Sequence, residues 1–164
     1  MVMDRREEGA MTDKDGPERL PPGVSLAEFR AVADRVELTE LLSRYHQYID
    51  AMKWESLGEV FADDAECHYL GLEIFGVSDV NLEGREKVIE WLRVNLGQFG
   101  DTQPKHFFAN HVFDILGDRA KTRSYMHVIA SLVSGIYEVE HKRTPEGWRI
   151  VKLKLEHFRT EQAR

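Results

Sequence analysis

The side chains of this sequence that can move protons near neutral pH are seven histidines and many carboxylates, with a single cysteine beside them. Two of these groups occupy telling places. Asp50 closes a run in which Leu38, Leu41, Leu42, Tyr45, Ile49 and Met52 recur at helical spacing. It lies on the flank of that apolar stripe, where a carboxylate is costly unless it is paired or hydrogen-bonded. His106 follows Pro104 and Lys105 at a strand start. A neutral imidazole can take a proton from carbon or oxygen near pH 7, and a carboxylate on its other nitrogen would fix the tautomer and stabilise the imidazolium. Tyr69, in the strand-like segment AECHYL, can donate a hydrogen bond to a carbonyl or a leaving hydroxyl. Tyr45 belongs to the helical stripe, where core packing competes with any role at a site. Asn110 stands four residues after His106 and shares its face if the strand carries no bulge. Trp54, Tyr125, His127 and Tyr137 are candidate wall residues, whereas His46, one turn before Asp50, reads as a scattered helix histidine.

Other chemistries find little support. The histidines show no tight ligand spacing, and His106 and His111, five apart on a strand, point to opposite faces, so no metal is expected. Cys67 has no CxxC partner and reads as a buried, inert thiol. No Gly-rich phosphate loop, GxGxxG, GxSxG or HExxH occurs, which disfavours nucleotide cofactors, a serine-hydrolase mechanism and a zincin site; no cofactor is expected. The net charge of −7, without a Lys/Arg cluster, argues against nucleic acid or an anionic membrane as a partner. No run reaches the roughly 18 to 20 apolar residues of a membrane helix. The opening MVMDRREEGAMTDKDGPERLPPG lacks the apolar centre of a secretory signal, so a cytoplasmic location is expected.

The elements that must position these groups follow from the pattern. The 164 residues are enough for one domain. Residues 1–23 are polar and end in Pro21-Pro22-Gly23, which predicts a flexible leader before a domain over 24–160. Ser25 and Glu28 form a capping-box pattern that opens a helix to about Met52, with room for a bend near Asp34. A short helix over 55–61, a strand over 65–72, a loop over 73–83 and a helix over 85–99 follow. Four long strands then fill 105–116, 119–130, 133–143 and 148–158. Helices first and a meander afterwards predict an α+β fold with an antiparallel sheet. Apolar residues on both faces of the last strands (Ile136, Val139, Ile150, Val151, Leu153, Leu155) suggest a partner on the uncovered face, hence a homodimer or a higher homo-oligomer.

In order and spacing, LLSRYHQYIDAMKWESLGEVFADDAE, GREKVIEWL, HFFANHVFDILGDRAKTRSY and GIYEVEHKRTPEGWRIVKLKLE resemble the SnoaL-like proteins of the nuclear transport factor 2-like superfamily over about residues 36–156. The resemblance implies a cone-shaped α+β barrel, a strongly curved antiparallel sheet wrapped around the N-terminal helices. Within the superfamily, the scytalone dehydratase-like pattern places a catalytic aspartate on Asp50, a catalytic histidine on His106 and a water-binding tyrosine on Tyr69. A second water-binding tyrosine would fall on Ile49, a departure, and His127 lies in the strand of that family's second pocket histidine without a convincing match. Bile-acid dehydratases place a tyrosine five residues before the aspartate, as Tyr45 is here. What the resemblance implies is a cofactor-free dehydratase, isomerase or cyclase acting on a small, hydrophobic polyketide-, steroid- or terpenoid-like substrate. The alternative is a non-catalytic ligand-binding or assembly module, like the small subunits of ring dioxygenases. The excursion between SYMHV and GIYE is shorter than in many relatives, so that side of the pocket is expected to be more open.

Overall fold

The first helix is fixed at both ends by its own sequence. In a computed structural model, which describes residues 23–102, 104–129 and 131–159, helix α1 runs unbroken over Leu26–Asp50. Ser25 Oγ accepts from the Glu28 amide at 3.2 Å, and the Ser25 amide donates to the Glu28 carboxylate at 2.8 Å. This is the capping box expected from sequence, and it satisfies two of the amides a helix start leaves open. At the other end Met52 takes a left-handed conformation (φ 53°). Its amide then reaches Ile49 O at 2.9 Å, and that of Lys53 reaches Tyr48 O at 2.8 Å. These two bonds make a Schellman turn, which pins Asp50 as the last helical residue. The expected leader over residues 1–23 lies, but for Gly23, outside the described residues.

A 3₁₀ segment, Trp54–Glu59, leads into β1 (Phe61–Leu70). After β1 come β2 (Val80–Glu83), α2 (Arg85–Leu96), β3 (His106–Leu116), β4 (Arg119–Val128), β5 (Val133–Thr144) and β6 (Gly147–Arg159). They form one curved, unclosed sheet in the order β2-β1-β6-β5-β4-β3. The architecture is the expected α+β one, with three differences. The barrel is not closed, since β2 and β3 are free edges. The β1–β6 pair is parallel, while every other pair is antiparallel. A strand also occupies the end of the stretch read as a loop, because Val80 and Leu82 alternate with polar residues and pair with β1.

One face of the sheet receives the helices. Leu38, Leu41 and Leu42 of α1 and Leu92 of α2 are buried there, with Val139, Ile150, Leu153 and Leu155 of the last strands. Trp91 is partly buried against the same cluster. Burying a side chain of this size contributes about 1.5–3 kcal/mol, so the apolar stripe accounts for how α1 is held.

The outer face corrects the expectation about the last strands. Of the six apolar residues expected to be spread over both faces, four, Val139, Ile150, Leu153 and Leu155, are buried on the inner face. The outer face instead carries ion pairs: Lys121–Glu140, Lys152–Glu66 and Lys154–Glu138. Register aligns Asp114, Lys121, Glu140, Lys152 and Glu66 as one alternating row across five strands. Apolar residues do face outward, but on the edge: Phe107, Val112 and Leu116 of β3, with Tyr125 of β4, are exposed.

Candidate functional site

The end of α1 and the start of β3 meet, and each brings one member of a hydrogen-bonded pair. Asp50 Oδ1 lies 2.6 Å from His106 Nδ1. Asp50 Oδ2 accepts from the His106 amide at 3.0 Å. The carboxylate is thus held by both oxygens, and Lys105 Nζ donates to the Asp50 main-chain carbonyl. The Asp50 and His106 side chains retain 15% and 13% exposure, so the pair is sheltered without being sealed off. Burial opposes charge on Asp50, but the hydrogen bonds from the His106 ring and amide outweigh it and hold the carboxyl below its ordinary range. An ionised carboxylate only accepts, so His106 Nδ1 carries the proton. In the neutral ring this leaves the lone pair on the other nitrogen, Nε2, the form a general base requires.

Beside this pair is an aromatic interior. Tyr45 and Tyr69 are buried, with their hydroxyl oxygens 3.3 Å apart. Tyr69 stacks on Trp91 at 4.6 Å. Tyr137 is buried on β5 and meets Tyr45 and His46 edge-on, at 6.1 and 5.2 Å. Burial pushes all three phenols well above their ordinary value, so they remain hydrogen-bond donors. Burial likewise pushes the Cys67 thiol up to about 12, which leaves it an inert core group, as read from sequence.

The remaining candidates lie elsewhere. Strand β3 carries a bulge between Ala109 and Val112, where two residues stand opposite one on β4. Asn110 sits in it with a left-handed backbone (φ 59°) and is exposed rather than on the face of His106. Tyr125 and His127 lie opposite the part of β3 before the bulge, where plain alternation from His106 decides the face. His127 pairs with Phe107 and Tyr125 with Ala109, so both belong to the outer side. There Tyr125 packs under Arg123 and His127 bonds Ser134 at 3.1 Å. Trp54 is a core residue against Gly97 at the end of α2. The same bulge turns His111 inward, against the expectation that it opposes His106: its ring lies 4.5 Å from Phe108 and 5.9 Å from Phe113.

His46, by its sequence a scattered helix histidine, is buried among these rings. Its ring lies 4.3 Å from Phe108 and 5.9 Å from His106. The signal in the sequence was its place four residues before Asp50, which puts the two on one helix face. Its Nδ1 meets Leu42 O at 2.9 Å, and burial lowers its pKa to about 3, so it stays neutral. Among the described residues no group of three metal-ligating side chains is gathered, and no helix is long and apolar enough to cross a membrane.

This arrangement can be set beside known proteins. The sequence pattern of the SnoaL-like domain matches residues 30–154. An uncharacterized protein of Mycobacterium tuberculosis (strain ATCC 25618 / H37Rv), Rv2910c, is 30% identical over 138 residues, covering 78% of this chain and 88% of its own. Among solved structures, the Kfla4162 protein from Kribbella flavida is 26% identical with a TM-score of 0.68, over 80% of this chain and 95% of its own. The hexachlorocyclohexane dehydrochlorinase LinA-type3 from Novosphingobium barchaimii LL02 has the same fold at 17% identity, with a TM-score of 0.66 over 83% of this chain and 94% of its own. On the span of the domain match and the agreement in fold, the chain belongs to the SnoaL-like family.

Proposed function

We infer that this chain is a cofactor-free acid–base enzyme, a lyase or isomerase, in which Asp50 and His106 act on a small, largely apolar ring substrate. The single observation that carries the reading is the two-point hold of the Asp50 carboxylate on His106, through ring and amide. A core or surface histidine needs neither a charged partner on Nδ1 nor a free Nε2 beside an aromatic interior. A ligand-carrying module has no need of the aligned pair either, and so the alignment favours an enzyme.

The chemistry proceeds by proton transfer alone. His106 Nε2 takes a proton from the carbon next to a carbonyl, and that C–H electron pair becomes part of a new double bond. In a dehydration the C–O bond to a β-hydroxyl breaks, and the imidazolium returns its proton to the departing oxygen, so that water leaves. In an isomerisation the same proton is delivered to another carbon. Asp50 stabilises the imidazolium between the two transfers. The Tyr45 and Tyr69 hydroxyls are the donors suited to hold the substrate's carbonyl oxygen as charge builds on it. The dehydrochlorinase among the structural relatives removes HCl from its own substrate by name, a 1,2-elimination of the same formal type.

The reading is tested by following the absorbance of the conjugated product from a panel of cyclic β-hydroxy ketones. Turnover is expected to be unchanged by chelator. Loss of activity in EDTA, restored by one divalent ion, would contradict proton transfer by side chains alone.

A further inference from the structure

Five buried side-chain polar atoms have no hydrogen-bond partner among the described residues; His141 Nδ1 and Trp148 Nε1 are two, and the other three are His46 Nε2, His111 Nδ1 and Ser124 Oγ. Buried polar atoms are seldom left in this state, because each has given up its bonds to water. The three belong to different elements, yet they share one patch. The His46 ring packs on Phe108, and Phe108 packs on His111. Tyr137 contacts both His46 and Phe108, and Ser124 is the β4 neighbour of Tyr137 in the ladder. Ser124 also faces the β3 bulge, since it falls between Arg123 and Tyr125, the partners of Val112 and Ala109. The bulge that misleads face counting is what turns His111 into this patch.

The chemistry of His46 fixes what it can meet. Its Nδ1–H donates to Leu42 O, a carbonyl that can only accept. A neutral ring with Nδ1 protonated offers a lone pair at Nε2 and nothing else, so the complementary group must be a donor. A ketone or ether oxygen cannot satisfy it, whereas a hydroxyl can. Ser124 can give or accept, and so can complete the bonding of the same hydroxyl. The surrounding rings favour a flat carbon skeleton, and the His46 and His106 rings are 5.9 Å apart, about the span of one six-membered ring and its substituent.

We propose that His46, with Ser124 and His111, forms a hydroxyl-accepting subsite beside the Asp50–His106 pair, which selects ring substrates bearing an O–H group remote from the reacting carbon. This deepens the acid–base reading and rests on it for the substrate's entry, but its test needs no turnover.

The test compares binding of 2-naphthol and 2-methoxynaphthalene to the full chain by isothermal titration calorimetry. The two probes have the same rings, and only the first can donate; an apolar pocket without a hydrogen-bond acceptor would favour the methoxy compound. Wild type is expected to bind 2-naphthol about 10-fold more tightly, equivalent to about 1.4 kcal/mol. In His46→Phe, whose ring can still stack on Phe108, that preference should fall to within about twofold, the loss of one hydrogen bond. Asp50→Asn should keep it. Should His46→Phe not fold, Ser124→Ala carries the test, and a reduced preference is again expected. No preference in wild type, or one that survives the substitution, overturns the subsite. So does a preference lost in Asp50→Asn but kept in His46→Phe, which would place the hydroxyl on the catalytic pair. Failure of the enzyme reading looks different, as absence of turnover with the naphthol preference intact.

Discussion

Replacing His46 by Phe should change how stability depends on pH, and the size of the change follows from burial. His46 is 4% exposed, and its folded-state pKa is lowered to about 3, first by desolvation. In the unfolded chain it titrates near 6.5. Between these values the unfolded state binds a proton that the folded state refuses, so stability falls as pH falls through this window. The slope approaches about 1.4 kcal/mol per pH unit, and between pH 6 and 4.5 the loss from this one ring amounts to about 2 kcal/mol. His141, lowered to about 4 by burial, adds a second contribution of the same sign. The Asp50 carboxyl, held below its ordinary value, costs stability only in more acid solution, below this interval. Urea denaturation of wild type and His46→Phe at pH 6, 5.25 and 4.5 measures the effect. The variant should lose about 2 kcal/mol less than wild type over that range, whatever its stability at pH 6. Equal losses in the two proteins would refute the account, since they would mean that His46 protonates freely inside the fold.

Two further predictions concern the bulge and the outer face. Asn110→Gly should leave stability unchanged or raise it slightly, whereas Asn110→Val should cost about 1–2 kcal/mol in urea denaturation, because a β-branched residue resists the left-handed backbone there; equal stability of the two would remove the strain argument. The expectation of a homodimer now rests on the exposed apolar edge of β3, and Val112→Glu should shift the protein to monomer in sedimentation velocity. A wild-type chain that is monomeric at every micromolar concentration contradicts it.

Much of this molecule is legible in its residues. Ser25 with Glu28 gives the start of α1, and the spacing from Leu38 to Ile49 gives its buried face. The family pattern brings Asp50 and His106 together, and the structure has them bonded. Asn110 and His111 are less legible, because face counting along β3 assumes a regular ladder. One extra residue at Asn110 accounts for the misplacement of Asn110 and for the inward turn of His111, whereas Tyr125 and His127, opposite Ala109 and Phe107, face outward by plain alternation from His106. Asparagine tolerates a left-handed backbone, so a bulge was physically available there, but nothing local demanded it. The parallel β1–β6 pairing is set by long-range packing, which a local pattern does not encode. On the last strands Val139, Leu153 and Leu155 share the inner face by plain alternation, and a register shift in β5–β6 between Glu140 and His141 turns Ile150 to the same side, which residue spacing alone does not show.

The central claim is that Asp50 and His106 are one catalytic unit, and a double-mutant cycle on initial rates tests it most directly. With a cyclic β-hydroxy ketone that wild type turns over, His106→Gln should lower the rate roughly 100- to 10,000-fold, the usual contribution of a positioned base. Asp50→Asn should also lower it substantially, because the amide no longer selects the Nδ1-protonated ring. The double variant should be little slower than the slower single one, since partners acting as a unit do not add. A rate that survives His106→Gln within about threefold, or single losses that multiply in the double variant, would contradict the account.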